Sequence, residues 1–183
     1  MYHPFLVGEK IYLRNIEKQD LGSNYFQWLN DQEVTRWLSH GFFPNSEESM
    51  LDYYLSMAKS NKSMNLAIIE KGSDHHVGNV ALHELDPISG TMGTGIIIGE
   101  KDVWGKGYGT EAWRLMFAHA FRTLNVNCLL GGAVAENIGS LKACWKAGYK
   151  QDGVIRQYHY FDGKYHDMIP VSCLRKDWLE TLA

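Results

Sequence analysis

Three glycines at alternate positions stand in Val103-Trp104-Gly105-Lys106-Gly107-Tyr108-Gly109-Thr110-Glu111-Ala112, directly after an apolar run from Gly95 to Gly99 and ahead of a strongly apolar helical pattern. Glycine accepts positive φ and lets a ligand approach the main chain closely. A helix that begins behind such a loop offers unpaired N–H groups and the positive end of its dipole. Strand, glycine loop and helix together suit an anion, most naturally a phosphate or pyrophosphate. The spacing excludes two common phosphate motifs. Lys106 lies between the first two glycines, so there is no Gly-x-x-x-x-Gly-Lys-Ser/Thr, and the third glycine comes one residue early for Gly-x-Gly-x-x-Gly. No acidic residue lies at the end of a second parallel strand about twenty residues on, where a ribose would need it.

A second group of polar residues follows downstream. Asn137 precedes an apolar helical pattern and Ser140 falls in its first turn. Asn in that place caps the helix, and Ser is common near a helix start. Candidates for moving a proton are His83 and Glu84, which end a strand and point to opposite faces. Glu100, His159, His166 and Asp167 are further candidates. No HxxxH or HxH pairing with a carboxylate stands out among the histidines, so no metal site is expected. Cys128, Cys144 and Cys173 are an odd set without CxxC spacing and read as inert buried thiols.

The elements that position these residues follow from periodicity. Lys10 to Asn15 alternates and reads as a strand. Asp20 reads as the cap of a helix carrying Leu21, Tyr25, Trp28 and Leu29, and Glu33 to Leu38 as a second short helix. Ser46 caps a third, with Met50, Leu51, Tyr54 and Ala58 as its buried stripe. Met64 to Glu70, His76 to Leu85 and Thr91 to Gly99 form an antiparallel meander joined by tight turns. A helix from Thr110 to Leu124, a strand from Asn127 to Ala135 and a helix from Ile138 to Ala147, burying Leu141, Cys144 and Trp145, come next. Strands Gln151 to Phe161 and Lys164 to Leu174 flank the Asp162-Gly163 turn, and Arg175 to Leu182 forms a terminal helix. The strand-helix-strand passage from Thr91 to Ala135 demands a parallel pair in an otherwise antiparallel sheet. The reading is an α+β fold in one domain.

Bulk properties bound the partners. With 183 residues, 45% of them hydrophobic and 21% charged, the chain can bury one sizeable core. A net charge of −3 gives no basic field, so nucleic acid is not expected as a partner. Met1 to Lys10 lacks the pattern of a signal peptide, and no uncharged run reaches membrane-spanning length. A cytoplasmic location without membrane partners is the expectation.

At the glycine loop and the downstream Asn-Ser pair the chain resembles the GNAT N-acetyltransferases, in their RimJ/RimL-like branch. Trp104 to Ala112 is similar to that family's acetyl-CoA pyrophosphate loop, written Gln/Arg-x-x-Gly-x-Gly/Ala. Gly107 and Gly109 match, and Trp104 stands where Gln or Arg would be. Asn137-x-x-Ser140, Ala147-Gly148-Tyr149-Lys150 and Gly153 match as well, so the likeness covers residues 95 to 167. It implies a single domain over residues 5–180, with a mixed, mostly antiparallel central sheet flanked by helices, whose parallel strand pair splays apart. It implies acetyl-CoA as acetyl donor, without a metal, and acetyl transfer to a primary amine by direct attack in a ternary complex.

The likeness also implies roles for individual residues. Gly105, Lys106, Gly107, Tyr108, Gly109 and Thr110, with Trp104, would cradle the pyrophosphate. A main-chain N–H at Ile97 or Ile98 would meet the acetyl oxygen, and Asn137 would contact the pantetheine arm. Ser140 would stabilise or protonate the departing thiolate, because no Tyr occurs between Ile138 and Gly148. Amines with free pKa values near 8 to 10.4 are mostly protonated at neutral pH, so a base is needed. His83 or Glu84 would supply it. Trp28, Asp31 and Arg36 would face the acceptor. Aromatic stacking with Arg36 suits a nucleotide amino sugar, and the carboxylates Asp31, Glu33, Glu47 and Glu48 suit a protein N-terminus or a polyamine. A monomer or homodimer is expected. The alternative is a non-catalytic acetyl-CoA-binding or sensing module on the same fold.

Overall fold

The computed structural model describes residues 3–181, so Met1, Tyr2, Leu182 and Ala183 lie outside the described residues. Its strands are β1 (Leu6–Val7), β2 (Ile11–Asn15), β3 (Met64–Glu70), β4 (His76–Asp86), β5 (Thr91–Ile98), β6 (Cys128–Val134), β7 (Lys150–Gln151), β8 (Ile155–Phe161) and β9 (Lys164–Leu174). Its helices are α1 (Asn24–Asn30), α2 (Gln32–Thr35), α3 (Glu47–Ala58), α4 (Tyr108–Arg122), α5 (Ile138–Ala147) and α6 (Arg175–Glu180). The strands form one sheet in the order β1-β2-β3-β4-β5-β6-β9-β7, with β8 also on β9. Every pairing is antiparallel except β5 with β6. That parallel pair is joined through α4, as a strand returning in the same direction requires.

The sheet is covered on both faces. One face carries α4, α5 and α6 over a core that includes Phe117, Phe121, Met116, Leu82, Leu129 and Trp178. Helix α4 presents Trp113, Met116, Phe117, Ala120 and Phe121 at helical spacing, all buried. Full burial of a side chain such as Phe117 stabilises by roughly 1.5–3 kcal/mol. The other face carries α1 and α3 over two smaller clusters, built on Tyr12, Ala67 and Ile69 and on Tyr25, Trp28, Leu29 and Met50. Period-2 alternation divides β5 between the faces: Ile96 and Ile98 join the α4 side, and Ile97 joins the α1 side.

Several local readings need correction. Asp20 does not cap α1. It is the third residue of a 3-10 turn, Lys18–Gly22, and its buried carboxylate takes a two-pronged contact from Arg14 at 2.7 and 2.8 Å. Asp31 is the cap instead, at the start of an α2 that ends by Thr35 rather than Leu38. Of the expected α3 stripe only Met50 is buried, since the helix lies at the periphery with Ala58 exposed. Trp145 is 45% exposed, on the outer side of α5. The expected strand from Gln151 to Phe161 is interrupted, because Asp152 to Val154 is irregular between β7 and β8, with Asp152 N–H still on the Pro170 carbonyl of β9 at 3.0 Å. The short β1 had no alternation to announce it. Helix α4 begins two residues early, which brings Tyr108 and Gly109 into its first turn.

Candidate active site

The parallel pair is short. β5 and β6 are in register only over Thr91–Gly93 and Cys128–Leu130. At the next residue Thr94 Oγ1 donates to the Leu130 carbonyl at 2.8 Å and also meets the Tyr149 hydroxyl at 2.6 Å. This side-chain bridge replaces a ladder bond at the point of divergence. Tyr149 is buried, and that burial raises its hydroxyl well above the usual phenol range, so it stays a neutral partner. Beyond Thr94 the two strands form no further pairs among the described residues, and β5 is left with one main-chain edge facing a gap.

Main-chain direction in that gap follows from one bond. Gly99 N–H donates to the Val77 carbonyl of β4 at 3.0 Å. Main-chain groups alternate along a strand, so the Ile97 N–H also faces β4 while those of Ile98 and Ile96 face the gap. Trp104 agrees with this, because its Nε1–H donates to the Ile98 carbonyl at 2.8 Å from the gap side. The indole thereby pins the glycine loop to the end of β5.

The loop itself turns on two left-handed residues, Gly105 at φ 80° and Gly107 at φ 92°. No atom lies within 4 Å of where a Cβ would stand on either, so the side that a side chain would fill is open. Gly107 is the N-cap of α4. Lys106 N–H donates to Val103 and Glu111 N–H to Gly107, at 3.2 and 3.0 Å. The N–H groups of Tyr108, Gly109 and Thr110 precede the first intrahelical bond and point out of the helix end. The Tyr108 side chain turns away and donates to Glu70, whose carboxylate raises the phenol to about 12. Glu111 braces the first turn by accepting from the main chain of Lys10 at 2.9 Å and Ile11 at 3.4 Å. Lys106 is exposed, and its carbonyl accepts from Lys10 Nζ at 3.3 Å.

Helix α5 starts at the same end of the parallel strands as α4. Asn137 caps it by accepting from Ser140 N–H at 3.2 Å. Cys144 lies one turn after Ser140 on the same helix, and burial pushes its thiol up to about 11. Cys144 therefore keeps its proton at neutral pH.

On the opposite face, β4 and β5 expose Gly93 and Gly95 beside His83. The His83 ring leans over Gly95, with Nε2 3.1 Å from where a Cβ would stand. Burial lowers the His83 pKa, which leaves the imidazole neutral and able to accept a proton. Glu84 sits on a bulge at φ 54°, exposed, with its N–H on Ser63 Oγ at 3.0 Å.

The residues expected around the acceptor do not converge. Trp28 is 4% exposed, packs against Gly99 and donates to Glu100 at 3.0 Å. Asp31 accepts from the main chain of Glu33 and Val34 and meets Lys101 Nζ at 2.9 Å, and Glu33 meets the same lysine at 2.9 Å. Arg36 lies apart from both, over the rings of Trp37 at 4.9 Å and Phe161 at 5.2 Å.

One cluster near the gap was not assembled from the sequence. Trp37 meets Phe161 at 5.4 Å, His166 at 5.2 Å and His159 at 6.4 Å, and Phe42 stacks on His159 at 5.3 Å. His166 Nδ1 lies 2.8 Å from Glu136 Oε1. The contact is close but bent away from the ring N–H direction. A signal for half of this was present: the Asp162-Gly163 turn, both residues at positive φ, sets His159 opposite His166 on one face of the hairpin.

A separate cavity of about 400 Å³ lies beneath α3, between it and β2–β3. Tyrosines are its only titratable lining, so it offers no acid or base near neutral pH. Among the described residues no cluster of His, Cys, Asp and Glu could hold a metal, and no helix is long and apolar enough to cross a membrane.

Comparison with known proteins agrees with this geometry. A family model described as an acetyltransferase (GNAT) domain matches residues 10–150. An uncharacterized N-acetyltransferase, p20 of Bacillus licheniformis, is 25% identical over 175 residues, covering 94% of this chain and 97% of that protein. YdaF of Bacillus subtilis (strain 168), named as a candidate ribosomal N-acetyltransferase, is 27% identical over 94% of this chain and 95% of its own length. Among solved structures, spermidine N-acetyltransferase from Vibrio cholerae in complex with CoA and spermine superposes with a TM-score of 0.85 at 18% identity, over 94% of this chain and 99% of that one. At that identity the likeness speaks for the fold.

Proposed function

The chain belongs to the GNAT acetyltransferase family, and we propose that it moves an acetyl group from acetyl-CoA to a primary amine by direct attack within a ternary complex. The observation that carries this reading is the pair of left-handed glycines opening α4 at the divergent end of the parallel strands. A main-chain anion cradle and a strand edge left unpaired for an extended ligand meet at that place. The RimJ/RimL-like branch fits Ser140 standing where other members use tyrosine.

Acetyl-CoA supplies an activated acyl group when bound. The N–H groups of Gly105, Gly107, Tyr108, Gly109 and Thr110 form the pyrophosphate cradle, Lys106 adds its exposed ammonium while its N–H stays on Val103, and Trp104 holds the loop in place. The open side of Gly105 and Gly107 fits close approach by a phosphate. Of the two strand residues, Ile98 rather than Ile97 directs its N–H at the acetyl oxygen and stabilises the developing oxyanion. Asn137 both caps α5 and contacts the pantetheine arm. Ser140 donates to the departing thiolate. Neutral His83 draws the amine proton away through water, since it leans toward Gly95 from below the gap. Exposed Glu84 is the less favoured base.

The acceptor is a small-molecule amine, such as a nucleotide amino sugar, or a protein N-terminal amine. Of the acceptor residues, Arg36 keeps a contact role, and Trp28 and Asp31 act by shaping the wall through Glu100 and Lys101. The test is CoA-thiol release from acetyl-CoA against UDP- and TDP-amino sugars, spermidine and peptides with varied N-termini. Saturable release with one class establishes transfer to that amine. Tight acetyl-CoA binding with no release across the panel favours the non-catalytic binding module, and absence of binding refutes the cradle.

A further inference from the structure

Glu136 is the carboxylate that the reading above leaves without a task. It comes two residues after the end of β6 and precedes the Asn137 cap, so it stands at the open end of the gap, beside the helix start that carries Ser140. Its backbone is held there, because Ala135 N–H donates to the Asp167 carbonyl of β9 at 2.9 Å. The other nearby acids are committed. Glu100 accepts from Trp28 and Asn24, Asp31 and Glu33 share Lys101, and Asp167 accepts from Gln157 N–H. Glu136 has His166 against one oxygen at 2.8 Å, and its side chain is still 49% exposed.

The partner is built in rather than fortuitous. His166 is 3% exposed, its Nε2 lies 3.3 Å from the Phe161 carbonyl, and Trp37 packs across its ring. Such a ring cannot follow a mobile carboxylate, so it fixes one. Beside it His159, 8% exposed, has an Nε2 with no hydrogen-bond partner among the described residues. A buried polar nitrogen left that way costs free energy until something meets it. A fixed anion, an orphaned imidazole nitrogen and aromatic walls on one side of the acetyl-transfer gap make a receptor for an amphipathic ammonium group.

We propose that Glu136, positioned by His166, docks the ammonium group of the acceptor before its deprotonation, with Trp37, Phe42 and His159 walling the adjoining chain of the substrate. The inference rests on the acetyltransferase reading and names the amine subsite within it. No bond is made or broken in this step: R–NH₃⁺ exchanges water for the Glu136 carboxylate. Its proton then leaves, the nitrogen attacks the acetyl carbon, and the C–S bond breaks to give the amide and CoA thiol. His166 keeps the carboxyl of Glu136 below its usual range, so an anion awaits the ammonium.

The test uses the whole chain, with spermidine, a UDP-amino sugar and a peptide with a free N-terminus as probes. Imidazole NMR signals of His159 and His166 are followed as each amine is added with and without CoA, and steady-state constants are measured for any amine acetylated. At least one amine should shift these signals saturably in the wild type. Glu136→Gln should raise that amine's KM at least tenfold, with kcat within threefold and the acetyl-CoA KM within twofold. Glu136→Asp should recover most of the affinity, and His166→Asn should raise the amine KM with kcat kept. An unchanged amine KM in Glu136→Gln, or histidine signals that respond to none of the three amines, overturns the proposal. Failure of the wild type to bind acetyl-CoA would instead overturn the cofactor assignment, and the amine titration would still decide Glu136.

Discussion

Adding one methyl group at Gly107, and separately at Gly109, tests the loop more sharply than removing any side chain. Gly107 sits at φ 92°, a conformation that costs an L-residue roughly 1–2 kcal/mol. Nothing in the protein stands within 4 Å of the new Cβ, so strain is the whole of the folding effect. At roughly 2–4 °C per kcal/mol for a chain of this size, Gly107→Ala should lower the melting temperature by about 2–8 °C. Gly109 is two residues on, inside α4, and its added Cβ would rest 3.6 Å from Ile96 Cδ1 in ordinary contact. Replacing glycine by alanine in a helix gains up to about 1 kcal/mol, so Gly109→Ala should melt at or slightly above the wild type. Binding should separate them in the same direction. The Gly107 methyl enters the open side of the cradle, and acetyl-CoA affinity should fall at least about tenfold, or 1.4 kcal/mol. The Gly109 methyl faces Ile96 and Ile98, and affinity should stay within about threefold. Differential scanning calorimetry and isothermal titration with acetyl-CoA measure both quantities. If Gly107→Ala melts and binds like the wild type, the left-handed turn is not what builds the anion site, and the cofactor reading loses its foundation.

Three further substitutions probe separate links. Ser140→Ala should reduce kcat by roughly 100-fold, the usual scale for one transition-state donor, while acetyl-CoA affinity in titration stays within twofold. An unchanged turnover removes Ser140 from the mechanism. Trp104→Phe deletes the bond to the Ile98 carbonyl and should cost about 1 kcal/mol, seen as roughly fivefold weaker acetyl-CoA binding. An unaltered Kd would show that the indole does not set the loop. Asp20→Asn leaves Arg14 without its buried partner and should destabilise by about 3 kcal/mol in urea unfolding. Burial alone would raise the Asp20 carboxyl, but the Arg14 hydrogen bond and the Glu17 main chain outweigh it and hold the group below its usual range. Its contribution is therefore full above an unfolded pKa of about 3.9 and fades as pH falls through the lower folded value. The wild type should lose stability in that acid window and the variant should not; parallel pH curves would refute the assignment.

How much of this could be read in advance depended on whether a feature is local in the chain. The glycine loop, the Asn137 cap, the left-handed Gly148 that ends α5 and the α4 stripe each occupy one turn or one helix, and their residue types report on their own backbone. The parallel pair could be read because a strand, a helix and a strand in sequence leave few other geometries. Asp20 went astray because its side chain answers to Arg14 and not to the helix behind it. Trp28 and Asp31 carry the residue types of a binding surface, yet Glu100 and Lys101, some seventy positions on, claim them for the wall. No periodicity records a partner at that separation.

The same contrast explains why the cofactor side was easier to read than the acceptor side. A pyrophosphate is met by main-chain N–H groups, so the requirement falls on φ angles, and glycine spacing displays it openly. Trp104, which stands where Gln or Arg would be, anchors the loop to the Ile98 carbonyl. An amine has to be met by side chains, and in the proposed subsite they come from the turn after β6, the segment after α2 and the final hairpin. The hairpin turn fixes His159 opposite His166, which was legible, but only the fold brings Glu136 and Trp37 to them. Changes at those positions would leave the glycine loop and the Asn137 cap intact. If Glu136 docks that amine, exchanging it should alter acceptor choice while leaving the acetyl-CoA side untouched.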